Sequence, residues 1–146
     1  MILNPDFREF VELLNKHDVR FLVVGGYAVA FHGHPRYTKD LDLWIEPEAT
    51  NAERLVDVLR EFGFGSVGLE AGDFLKPGQI VQLGRPPARI DLITRLKGIE
   101  FEGTYDARVV VDVEGVDVPF IDLESLKRNK RAVDRSQDRA DLERLE

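Results

Sequence analysis

The sequence predicts a mixed α/β domain. Short apolar runs of strand length alternate with stretches of helical period, and glycine and proline clusters separate them. In one strand-like run two carboxylates stand between apolar residues. The 146 residues suit one domain, 1–146, with a single core. A hydrophobic share of 43% and a charged share of 32% fit a globular chain rather than a disordered one. The net charge of −7 argues against a protein that coats nucleic acid, although a local basic patch still suits phosphate. There are no cysteines, which excludes disulfides and thiolate metal sites. No apolar run reaches spanning length, and no basic stretch precedes an apolar core at the N-terminus. The expectation is a cytoplasmic protein without a membrane segment.

Asn4-Pro5 reads as a helix cap followed by proline at the first helical position. Phe7, Phe10, Val11 and Leu14 then share one helical face, ending near His17-Asp18. Residues 20–24 form a short buried strand, and 27–32 a short helix stopped by Gly33 and Pro35. Thr50 and Glu53 suggest a capping box for a helix with Ala52, Leu55, Leu59 and Phe62 inward and Gly63 at its end. Residues 79–83 and 89–93 are strand candidates joined by a Gly-Arg-Pro-Pro-Ala loop. Residues 99–107 suit a loop with one helical turn. Residues 108–113 and 116–120 alternate around Glu114-Gly115 as a second hairpin. Asp122 and Ser136 each precede a helix. Arg135/Asp138 and Arg139/Glu143 have the spacing of ion pairs on a solvated face.

The chain is organised around residues 23–46. Gly25-Gly26 follows the first strand directly. Such a pair serves either a tight turn or a backbone that approaches phosphate closely. His34, Arg36, Tyr37 and Lys39 form a small basic loop, and an arginine fork suits phosphate. Asp40 and Asp42 then share one face of a strand, roughly 6–7 Å apart along the backbone. Two carboxylates so placed repel unless a cation compensates them. Oxygen ligands on a rigid element suit Mg²⁺ or Mn²⁺. Asp91, flanked by Ile90 and Leu92, is either an edge residue facing water or a third acid joining the first two from a neighbouring strand.

Two other patterns carry less. Gly63, Gly65 and Gly68 match G-x-G-x-x-G, but a helix precedes them and no clear helix follows, so they read as a connection. His32 and His34 beside the carboxylates make a zinc site conceivable, although two histidines near a turn are common.

Gly25-Gly26, the block Arg36-x-Thr38-x-Asp40-Leu41-Asp42-Leu43, and Asp91 inside a later strand resemble the nucleotidyltransferase superfamily of the polymerase-beta type. The Gly-Gly-x-Ala opening and the segment with Lys130 and Asp138-x-x-Asp141-Leu142 resemble its bacterial branch, which includes abortive-infection toxin nucleotidyltransferases. The resemblance implies a mixed, largely antiparallel sheet flanked by helices. It implies a reaction in which a hydroxyl attacks the α-phosphate of a nucleoside triphosphate and pyrophosphate leaves. By position, Asp40 and Asp42 would hold two Mg²⁺ (or Mn²⁺) ions. Asp91 would share the ion on the nucleophile side and take the hydroxyl proton. Gly25 and Gly26 would cradle the β- and γ-phosphates. Arg36 and Lys130 would be charge partners of the triphosphate, and Thr38 would order the loop. The acceptor is a small molecule, an RNA end or a protein side chain. About 55 residues follow Asp91, few for a second domain that grips it. The acceptor site is therefore expected to be small, lent by a second subunit, or absent. The alternative is a catalytically silent nucleotide-binding or toxin–antitoxin component with an antitoxin-like partner or as a homodimer.

Overall fold

The computed structural model describes residues 3–33, 38–76, 78–84 and 89–146. Helix α1 spans Pro5–Lys16, opened by the Asn4 side chain, which accepts from the Asp6 amide. It buries Phe7, Phe10, Val11 and Leu14, as the apolar period predicts. Strand β1 (Phe21–Val24) leads straight into α2 (Gly25–His32). Strand β2 (Leu41–Ile45) and helix α3 (Ala49–Phe62) follow. The cap of α3 differs from the expected box: the Glu48 carboxylate accepts from the Thr50 and Asn51 amides. Gly63 ends α3 at φ 107°, the left-handed conformation a helix stop favours.

The glycine-rich stretch after α3 forms two short 3₁₀ turns, Gly65–Val67 and Ala71–Phe74. Strands β3 (Ile80–Leu83) and β4 (Ile90–Ile93) come next. Residues 99–107 hold a fuller helix than expected, α4 (Phe101–Asp106). Strands β5 (Val109–Val113) and β6 (Val116–Phe120) form the second hairpin, with Glu114 and Gly115 both at positive φ. Helices α5 (Leu123–Val133) and α6 (Ser136–Leu145) close the chain.

Among the described residues the sheet has six strands, in the order β3-β4-β2-β1-β6-β5. It corrects the expectation of a largely antiparallel sheet. The β1–β2, β3–β4 and β5–β6 pairs are antiparallel, but β2–β4 and β1–β6 are parallel. The reason lies in the connection. β3 runs opposite to β2, so the stretch through α3 and the two 3₁₀ turns returns the chain to the end of the sheet where β2 finishes, and the β3–β4 hairpin then turns it back alongside β2 in the same direction. Two cross-strand rows matter for function. Val23, Leu43, Leu92 and Val81 align across β1, β2, β4 and β3 on one face. Val24, Asp42, Asp91 and Gln82 align on the other. The core includes the wholly buried Phe10, Leu22, Leu43, Ile45 and Phe120.

Buried Asn51 ties the frame together. Its amide bonds the Arg20 and Glu46 carbonyls and accepts from the Arg20 amide, joining the start of β1 to the end of β2. Among the described residues no helix is long and apolar enough to cross a membrane.

Candidate active site

The antiparallel β1–β2 register places Asp42 opposite Val24, the residue before the glycine pair. The parallel β2–β4 register places Asp91 beside Asp42. Both neighbours of Asp91 in sequence are buried, and β4 lies inside the sheet between β3 and β2. Asp91 is therefore not an edge residue facing water. Asp40 lies one residue ahead of β2 rather than on it. Two of the carboxylates, Asp40 and Asp91, nevertheless meet at one group, the Arg89 guanidinium, whose charge also acts on Asp42. Its Nε lies 2.8 Å from one Asp91 oxygen and its terminal nitrogen 3.2 Å from the other. The same terminal nitrogen lies 3.2 Å from Asp40.

One guanidinium against three carboxylates leaves an excess of negative charge, and Asp42 absorbs it. Burial pushes its carboxyl up to about 7, and the charge and hydrogen bond of Asp91 add to the shift. Asp40 adds further, while Arg89 pulls the other way. The donors are all oxygen, rigidly placed and short of positive charge, which fits a hard divalent cation such as Mg²⁺ or Mn²⁺. Among the described residues no three acidic or histidine side chains stand ready as an ion cage. Arg89 engages both Asp91 oxygens and also Asp40 in the present arrangement.

The glycine pair is not a turn before the helix but its first two residues. Among the described residues no side chain caps this end. The amides of the first turn have no partners within the helix, and the dipole favours an anion there. Gly25 has φ 65°, and a Cβ built on it would lie 2.1 Å from the Asp42 Oδ2. Glycine is thus required twice, by conformation and by the approach of β2. Gly25→Ala is expected to cost about 2 kcal/mol or more and to displace Asp42. Chemical denaturation measures the first effect, and loss of Mn²⁺-induced stabilisation the second.

Thr38 lies two residues before Asp40 and is half-buried. Arg36, with His34 and Tyr37 of the basic loop, lies outside the described residues. His32 is committed elsewhere, with Nε2 2.6 Å from the Ile121 carbonyl. Lys130 is brought into a buried ion-pair network. It is buried on α5, 3.1 Å from both Asp138 and Asp141 of α6. Its charge is spent on two carboxylates that are themselves buried. The solvated-face reading of Arg135 and Asp138 is likewise corrected. Arg135 does pair with Asp138, but Asp138 is 1% exposed and belongs to this buried network. Arg139 pairs with Asp134, at 2.8 Å.

Sequence reasoning missed Arg89. Its signal was present: Arg89 and Asp91 stand at i, i+2, a spacing that puts two side chains on one face of an extended segment.

Residues 4–146 match the model of a family described as nucleotidyl transferase of unknown function (DUF2204). The chain belongs to this family. Solved structures agree on the fold. A Thermotoga maritima protein, TM1012, assigned to the nucleotidyltransferases, superposes with a TM-score of 0.64 at 15% identity, over 98% of this chain and 93% of that one. The lincosamide antibiotic adenylyltransferase LnuA, solved with lincomycin, gives 0.57 at 13% identity, over 99% and 96%. An antigenic nucleotidyltransferase-like protein from Paracoccidioides brasiliensis gives 0.56 at 18% identity, over 99% and 76%. No curated protein matches the chain. Membership of the abortive-infection toxin branch finds no support among these matches.

Proposed function

We propose that this protein transfers a nucleoside monophosphate from a nucleoside triphosphate to a hydroxyl acceptor, with Mg²⁺ or Mn²⁺ held by Asp42 and Asp91 and completed by Asp40. The observation that carries this reading is the side-by-side register of Asp42 and Asp91 on parallel strands, with Asp42 opposite the residue that leads into α2. Bound there, divalent ions would stabilise the attacking and leaving oxygens of an in-line displacement. The chain's own residues do the rest. The Gly25 and Gly26 amides receive phosphate oxygens, because the first turn of a helix offers unpaired donors. Asp91 accepts the proton of the attacking hydroxyl. Thr38 orders the approach to Asp40, and Arg36 neutralises the triphosphate. Lys130 is left out of this assignment, since its two partners already satisfy it.

The test is direct. Each labelled nucleoside triphosphate is incubated with the protein and Mg²⁺ or Mn²⁺, with RNA, cell extract or small hydroxylated molecules as acceptor. Label in an acceptor with release of pyrophosphate is the expected result. If no metal supports either label transfer or pyrophosphate release, the enzyme reading is dropped. Calorimetry with ATP then decides whether a silent nucleotide-binding role survives: binding that strengthens with Mg²⁺ keeps it.

A further inference from the structure

We propose that Arg89 is a displaceable internal counter-ion: its guanidinium occupies the carboxylate site until a divalent cation arrives, and then turns to the phosphates of the substrate. The inference rests on the reading of Asp42 and Asp91 as ion ligands. Both Asp91 oxygens are engaged by one guanidinium, at 2.8 and 3.2 Å. Its terminal nitrogen also holds Asp40, at 3.2 Å. A divalent ion that takes an oxygen of Asp91 must share it with the guanidinium, and repulsion between the two cations weakens these bonds. Arg89 stands in the position of a cation that the site needs when nothing is bound, because three neighbouring carboxylates without one would repel strongly.

The displaced group has a second use. Arg89 lies just ahead of β4, and about a quarter of its side chain is open to solvent. A guanidinium fork suits phosphate oxygens in two-point contact. Ion and substrate then assist each other. The ion frees the arginine, and the phosphates give the freed arginine a new partner. By linkage the effect is reciprocal. The protein would hold an ion alone weakly and an ion together with a polyphosphate well.

Calorimetry on the full chain with Mn²⁺ alone, and with inorganic tripolyphosphate at saturating Mn²⁺, tests this in wild type, Arg89→Gln and Arg89→Lys. In Arg89→Gln, Mn²⁺ alone is expected to bind about tenfold tighter or more, since the competing cation is gone. Tripolyphosphate is expected to bind about tenfold more weakly, since its partner is gone. A merely structural arginine would weaken both. Arg89→Lys keeps the charge without the fork, so its Mn²⁺ affinity falls between the other two. It also carries the test if the glutamine variant does not fold. Wild type that binds Mn²⁺ beside variants that bind it no tighter overturns the role of Arg89 alone. So does tripolyphosphate affinity unchanged by the substitution. Absence of Mn²⁺ binding in every protein overturns the ion-ligand reading, and this inference with it.

Discussion

Asp42→Asn is expected to be more stable than wild type and inactive. The carboxyl at this position is pushed up to about 7, by burial first and by Asp91 second, from an ordinary value of 3.8. Between about pH 4 and pH 7 the unfolded chain has released the proton while the folded chain still holds it. Stability therefore falls as pH rises through that window, and above it the folded state carries the full repulsion. Asparagine removes the charge and keeps the shape. The gain is expected to be roughly 1–3 kcal/mol at about pH 8 and to shrink toward pH 4. Chemical denaturation of both proteins across this range, without metal, reads it. Under the proposed mechanism the same substitution removes an ion ligand, so turnover falls roughly a thousandfold or more. Mn²⁺-induced stabilisation is lost with it. A variant that gains stability yet keeps wild-type turnover would show that Asp42 holds no ion. The proton also ties ion binding to pH. An ion entering beside Asp42 must expel that proton, so Mn²⁺ affinity measured by calorimetry rises with pH up to about 7 and then levels off.

Lys130→Met is expected to produce the largest loss of stability, about 3–5 kcal/mol. Lys130 answers two carboxylates at once, both at 3.1 Å and both almost wholly buried. Methionine of similar length would leave them without that cation, in surroundings where an uncompensated charge is costly. Burial works against the ionised form of Asp138, but hydrogen bonds from Arg135 and Lys130 hold its carboxyl down at about 2. The stability this supplies is present above about pH 4 and is lost as pH falls toward 2. The variant loses part of it. Adding Asp138→Asn and Asp141→Asn to Lys130→Met is expected to recover much of the deficit, because the unpaired charges go too. The measurement also separates two roles for the lysine. A normal denaturation midpoint with weakened ATP binding would return Lys130 to the triphosphate. A lowered midpoint with accelerated amide exchange in α6 fixes it as the bond between the last two helices. That bond reaches the candidate active site indirectly. The Arg144 carbonyl and Leu145 of α6 crowd Gly33, at the far end of the helix that Gly25 begins.

Much of this molecule was written in local sequence. The helical face of α1, the strand before Gly25, the Gly63 stop and the Glu114-Gly115 hairpin each follow from a few neighbouring residues, because hydrophobic period and turn conformation are local properties. The nearness of Asp40 to Asp42 was legible for the same reason, since an i, i+2 spacing keeps them close, although Asp40 lies just ahead of β2 rather than on it. The choice for Asp91 was not local. Edge position and shared site look alike from Ile90-Asp91-Leu92, and only the parallel docking of β4 beside β2 decides between them. The same docking decided the sheet's mixed direction and brought Arg89 onto Asp40, a residue of the strand's approach that its own sequence neighbourhood never suggests. Lys130 shows the converse. A basic residue on a helix gives no sign of burial until two helices fold together, and here the tertiary contact sets Lys130 against two buried carboxylates. What the chain determines by itself is which faces are apolar and which residue types carry charge. Which charges meet is set by long-range packing, because Coulomb energies depend on distances that the order of residues does not contain.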